Sequence, residues 1–246
     1  LCMLVGIGTT LYCNEPEDKR YDRKLIQGKR EQFKQWILLA VVNPFTDFFK
    51  RYGSQAIILL LFISFFRVSD YVLGILASPF YLDIGFSKTQ IAGVAKFYGL
   101  WVSLIGTAFG ATAILKFGVS KCIVVATILI ASTNLFFALM AYTGPYMSLL
   151  TITISADNFT MGFAGTVFIA YLSSLTNLSF TATQYALFTS VSTFLGKFAA
   201  GFSGNIQESI GWVGFFLYAA LMGVPAIILS LFVAKKIQTV EAHQKR

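Results

Sequence analysis

Between Asp157 and Lys197 the chain carries no Asp, Glu, Lys, Arg or His. A short polar break, Thr176-Asn177-Leu178-Ser179, divides this stretch into two apolar halves. If both halves lie in a bilayer, Asp157 and Lys197 lie in it too. A charge at that depth costs about 2.5–3.5 kcal/mol, so it is expected to face a cavity or a partner rather than lipid. Any fold for this chain has to place those two residues.

Composition supports the premise. Of 246 residues, 56% are hydrophobic and 12% charged, with a mean hydropathy of +0.71. Soluble domains carry about 25% charged residues, so a water-soluble globule of this make-up could not cover itself. Twenty-five Phe and twenty Gly point the same way, because Gly is commoner in membrane helices than in soluble ones. The expected fold class is all-α: a polytopic helical membrane protein. The net charge of +8 is not a nucleic-acid footprint. Its basic residues flank apolar runs or mix with acids, which is how topology determinants are distributed. Cys2, Cys13 and Cys122 form no CxxC pair, and the single histidine, His243, is in the tail. A His-based metal site or catalytic triad cannot be built from these. No Gly-rich phosphate loop occurs either, so neither an enzyme nor a cofactor is expected.

Taken in order, Leu1 to Tyr12 is apolar but shorter than the roughly 20 residues of a spanning helix, and reads as the tail of a preceding one. Residues 13–53 form the hydrophilic segment, with nine Lys/Arg against six acids. Within it Phe33, Trp36, Ile37, Leu39, Ala40 and Val41 recur at helical spacing, as in an interfacial amphipathic helix. Asn43-Pro44 should end that helix, and Phe45 to Arg51 should form a second amphipathic piece. Six spans are then expected within residues 54–234: Ser54 to Tyr81 (ending near Pro79), Thr89 to Leu115, Lys121 to Tyr142, Tyr146 to Leu175, Phe180 to Gln207 and Gly211 to Ala234. Gly223 and Pro225 should kink the last. Residues 235–246 form a basic tail.

Six spans place both flanks on one side. The flanks and the loop after the second span hold fifteen Lys/Arg, whereas the opposite loops hold only Lys88. By the positive-inside rule both ends are expected to be cytoplasmic. Five ionisable residues then remain inside spans: Arg67, Asp70, Lys96, Asp157 and Lys197. All except Lys96, which lies about 9 Å nearer the outside at helical rise, fall near mid-depth. A polar cavity between helices explains this, with Asn158, Thr160, Gln184, Thr189, Ser192 and Thr193 as further lining. Structural alternatives remain. Arg67 and Asp70, three apart on one face, could simply neutralise each other, and Asp157 and Lys197 could be an interhelical ion pair. Gly106-x-x-x-Gly110 reads as helix packing.

The basic loop followed by six spans is similar to the middle loop and C-terminal half of a major facilitator superfamily transporter. Lys116-Phe117-Gly118-Val119-Ser120-Lys121 resembles the basic end of that superfamily's short-loop motif, although Leu115 stands where an acid is expected. Asp157-Asn158-Phe159-Thr160-Met161-Gly162-Phe163-Ala164-Gly165-Thr166 and Asn177-Leu178-Ser179-Phe180-Thr181-Ala182-Thr183-Gln184-Tyr185-Ala186-Leu187 resemble the AmpG muropeptide permease family, with acetyl-CoA transporters as a more distant relative. The resemblance covers about Asn43 to Ala234. It implies proton-driven uptake of anhydromuropeptides across the inner membrane for cell-wall recycling. It also implies that Asp157, Asn158 and Gln184 lie at or near a central cavity. Full members have twelve or more spans, so the chain is expected to be a half: a fragment, or the product of a split gene, needing an N-terminal half as partner. A carrier of another anionic solute, or a non-transporting protein serving assembly or regulation, are the alternatives. Within this reading Asp157 is the substrate or proton-coupling residue and Lys197 its counter-charge or an anion contact. Asp70 is a second protonation candidate, governed by Arg67.

Overall fold

The computed structural model describes residue 38 and residues 42–177 and 180–244, with side chains up to Lys235. The expected leading helix tail and the amphipathic segment of Phe33 to Val41 lie outside the described residues. All described elements are helical. They are α1 (Asn43–Tyr52), α2 (Gln55–Phe65), α3 (Val68–Asp83), α4 (Lys88–Ile91), a π-helical stretch (Ala92–Tyr98), α5 (Gly99–Phe117), α6 (Val119–Thr143), α7 (Met147–Leu175), α8 (Thr181–Ala200), α9 (Ser203–Met222) and α10 (Val224–Gln244).

Several boundaries follow from single residues. Asn43-Pro44 opens α1, because proline suits a first helical turn, where its missing N–H leaves no bond unmade. Pro79 does not end the first span but sits inside α3, which runs on to Asp83. Ser87 and Gln90 form a reciprocal capping box at the start of α4. The expected kink at Gly223 is present as the break between α9 and α10. Beyond it α10 stays helical to Gln244, through most of the expected tail.

Five stretches among the described residues are long and apolar enough to cross a membrane: Gln55–Asp83, Lys88–Phe117, Val119–Thr143, Met147–Leu175 and Ser203–Lys235. The expected span over Phe180 to Gln207 is not one of them, since α8 carries Gln184, Lys197 and several Ser and Thr. The stretch Ser203–Lys235 is also not one rod. Gly211 has φ 69° and ψ 177°, a left-handed backbone that only glycine adopts at no cost, and the chain reverses there. After it, Phe216 packs on Phe137 at 5.3 Å, Thr127 donates to Ser230, and Ser120 donates to the Ala234 carbonyl. Residues 212–234 therefore run antiparallel to α6. Ser203 to Ile210 instead prolongs α8 beyond a break at Gly201-Phe202, and the Ser203 hydroxyl donates to the Val72 carbonyl of α3. Six passes through the bundle result, although the fifth is more polar than the others.

The interior is two aromatic cores. One gathers Phe48, Phe62, Phe66, Ile130, Phe163, Tyr171 and Phe188. The other gathers Val68, Phe80, Phe137, Ile154, Phe215 and Phe216. Polar residues interrupt three of the passes between the two cores: Arg67 on the first, Thr133 and Asn134 on α6, and Asp157, Asn158 and Thr160 on α7. This polar layer contains the candidate site.

Candidate functional site

Arg67 sits where the first pass breaks. Its φ of −116° and ψ of 11° are not helical, and α2 ends just before it while α3 begins just after. Asp70 lies in the first turn of α3, where the helix dipole favours a carboxylate. The two form an ion pair at 3.3 Å, Arg67 Nε to Asp70 Oδ2, with side chains 27% and 15% exposed. Only this one of the five guanidinium donors is used on Asp70. The guanidinium also lies 5.8 Å from the centre of the Tyr71 ring. Tyr71 in turn packs against Gly196 of α8, where a methyl group would collide with the ring.

Asp157, half-buried on α7, faces the same place. Its charged neighbours are Asp70 and Arg67, and the buried Tyr81 lies close enough to sense its charge. Among the described residues the guanidinium pairs with Asp70, and Asp157 is a second carboxylate near enough to feel both charges. Next to them, Asn158 donates to the Ile154 carbonyl at 3.0 Å, and its amide fills the space that a side chain at Gly99 would occupy. Tyr98 and Ser155 hydroxyls meet at 3.0 Å, joining the second pass to the fourth.

The remaining expected residues lie elsewhere. Lys197 is exposed in the last turn of α8. It is not among the charges that act on Asp157, so the two do not form the interhelical ion pair weighed from the sequence. Lys96 is exposed on the π-helical stretch. Both are exposed, and among the described residues neither pairs with Asp70 or Asp157.

Gln184 departs furthest from expectation. From Asp157 to the end of α7 at Leu175 is about 27 Å of helix at 1.5 Å per residue, and Gln184 lies beyond that end. It is fully buried, and all four of its hydrogen-bonding positions are filled. Nε2 donates to the Pro44 carbonyl and to Asp47 Oδ2, both at 3.0 Å. Oε1 accepts from Arg51 Nη2 at 3.1 Å and from the Asn177 backbone N–H at 2.8 Å. Asp47 completes the ring by accepting from Asn177 Nδ2 at 3.2 Å and pairing with Arg51 Nε at 2.9 Å. Burial alone would push the Asp47 carboxyl up, but the hydrogen bonds from Gln184 and Asn177 and the Arg51 charge hold it below its ordinary 3.8. Asp47, Arg51 and Asn177 were not singled out from the sequence. The Asp47–Arg51 spacing of four, on a helix otherwise rich in Phe, was the available signal.

No protein-family model matches the chain. Curated relatives do. A Rickettsia felis protein named "Putative transporter AmpG 4" is 35% identical over 202 residues, which is 82% of this chain and 48% of that protein. A Rickettsia prowazekii protein named "Putative transporter AmpG 3" is 28% identical over 99% of this chain and 57% of its own length. An uncharacterized Haemophilus influenzae protein is 30% identical over 95% of this chain and 55% of its own length. The chain therefore spans about half the length of the curated relatives it matches. Its helices and these relatives agree: the chain is an AmpG-like, all-α polytopic membrane protein.

Proposed function

We propose that the chain is the C-terminal half of a proton-coupled carrier that takes up anhydromuropeptides across the inner membrane for cell-wall recycling, with both its ends on the cytoplasmic side. The observation that carries this reading is the Arg67–Asp70 ion pair, with Asp157 as a second carboxylate that feels both charges, inside a largely apolar bundle. Such a group holds one cation or one extra proton without stranding a second charge, which is what coupling to a proton gradient needs. Asp157 takes the coupling role, Asp70 is the second proton acceptor, and Arg67 is the counter-charge they share. Asn158 is the polar neighbour on the solute side. Lys96 and Lys197, exposed and unpaired with the cluster, are contacts for an anionic sugar–peptide. Gln184 has every polar atom engaged by protein and is not given a solute role. Facilitator sites form between two halves at mid-membrane, so an N-terminal half completes the cavity.

Proteoliposome uptake of labelled anhydromuropeptide, with and without a supplied N-terminal half, tests the reading. Uptake driven by an inward proton gradient, and lost in Asp157→Asn while the protein still inserts, is the expected result. Full uptake by Asp157→Asn would remove Asp157 from the coupling role, and no uptake with both halves present would remove the solute.

A further inference from the structure

Asp70 lies in the first turn of α3, and the first pass does not run straight into that turn. Helix α2 ends at Phe65, and Arg67, with φ −116° and ψ 11°, is the non-helical residue from which α3 starts. The direction of α3 is therefore not inherited from α2 through an unbroken helix. Sideways contacts have to set it. Val68 and Val72 are buried on α3, but apolar contact has no direction of its own. Ser69, immediately before Asp70, makes directional bonds. It is 1% exposed, and its hydroxyl donates to the Ala219 carbonyl of α9 at 2.7 Å. Asn134 of α6, as deeply buried, stands behind it. Its Nδ2 donates to Ser69 Oγ at 2.8 Å and to the Ile130 carbonyl of its own helix at 3.0 Å.

The Ala219 carbonyl is an acceptor because of the break in the last pass. In a continuous α-helix it would take the N–H four residues on, that of Gly223. Gly223 instead donates to the Ala220 carbonyl at 3.0 Å. Pro225, two residues further, has no N–H to give. A backbone carbonyl inside a membrane bundle needs a donor, and the Ser69 hydroxyl supplies one. Gly223 itself lies against α6, where a methyl group would meet the Ala131 Cβ at 2.9 Å. Ala131 and Asn134 are three apart, hence on one face of α6. That face meets the break in the last pass and bonds to the start of α3. We propose that Ser69 and Asn134 are positioning residues for Asp70: their bonds fix the turn of α3 that holds its carboxylate 3.3 Å from Arg67. The importance of that placement rests on the coupling role given to Asp70 above; the placement itself does not.

The test reads Asp70 directly and needs no transport. The purified chain in detergent is treated with a hydrophobic carbodiimide, which adds to a carboxyl in its protonated form, and modified Asp70 is quantified by peptide mass spectrometry. A carboxyl held against a guanidinium is kept charged and reacts slowly, whereas one turned away from it reacts faster. Ser69→Ala should raise the rate at Asp70 by about fivefold or more, the change that losing one buried hydrogen bond allows. Ser69→Thr, which keeps the hydroxyl, should restore the native rate. Maleimide addition at Cys122, buried on α6, should stay slow in both. An unchanged Asp70 rate in Ser69→Ala overturns the proposal, as does a rise that Ser69→Thr fails to reverse. A parallel rise at Cys122 would mean general loosening, and overturns it too. Should Ser69→Ala fail to accumulate, Asn134→Leu removes only the bond to Ser69 and should raise the Asp70 rate about twofold or more, with the same readings. If uptake proves indifferent to Asp70, the coupling role falls, and these rates still decide whether Ser69 sets its place.

Discussion

Glycine decides the closest helix contact in this bundle. A methyl group on Gly106 would run into the Phe159 carbonyl, one on Gly162 into the Ser103 carbonyl, and one on Gly110 would come within 3.0 Å of the Phe163 carbonyl. α5 and α7 therefore touch backbone to backbone, where the absent side chains let dispersion contacts form along both rods. Gly165, three residues beyond Gly162, has nothing within 4 Å of such a methyl. Gly106→Ala should lower stability by about 1–3 kcal/mol, as overpacking does, whereas Gly165→Ala should stay within about 0.5 kcal/mol. Thermal unfolding in detergent distinguishes them, and equal losses would refute the contact. The charged cluster makes a second prediction at this scale. Arg67→Gln leaves Asp70 and Asp157 facing each other with no cation, and should destabilise. Adding Asp157→Asn should recover part of the loss, with a coupling energy of about 0.5–3 kcal/mol. Purely additive losses would mean that Arg67 does not serve both carboxylates.

Among the elements, α1 has the most specific docking. Phe48 is buried against Phe188 and Tyr52, and Asp47 and Arg51, one turn apart, reach Gln184. Because the Asp47 carboxyl is held below its ordinary 3.8 in the folded state, its contribution is present at every pH above that value. It is lost only as pH falls through the lowered folded value. The stability difference between the native protein and Asp47→Ala in detergent should thus be flat between roughly pH 5 and 8. A step in that interval would mean that another group controls the docking of α1. Element by element, hydrophobic runs made the passes legible to within a few residues, including the reversal at Gly211 and the break at Gly223. The breaks at Arg67 and Gly201-Phe202 were hidden, because neither interrupts an apolar run. Pro79 misled in the opposite sense, since a membrane helix can keep a proline that a soluble helix would not. The Arg67–Asp70 pair was legible from its spacing of three, whereas nothing in the sequence says which face of α7 carries Asp157. Gln184 and Lys197 were misplaced because depth says nothing of which way a helix faces, and α1, which claims Gln184, precedes the first pass.

For the whole molecule, two aromatic cores stacked along the passes and separated by a polar layer divide the work. The cores hold the helices together with burial that requires no direction, while the layer between them concentrates the groups that do require it. Orientation comes from outside the bundle. Fifteen Lys/Arg fall on the side of the flanks and the α5–α6 turn, against Lys88 on the other. By the positive-inside rule, the proposed orientation puts that side in the cytoplasm. It predicts opposite accessibility for two exposed turns that bracket α6. Thr143→Cys, beside Gly144, should react with an impermeant maleimide on intact cells. Phe117→Cys, beside Gly118, should react only after the membrane is opened. The reverse pattern would place both ends of the chain outside, and with them the hydrogen-bonded cluster at Gln184.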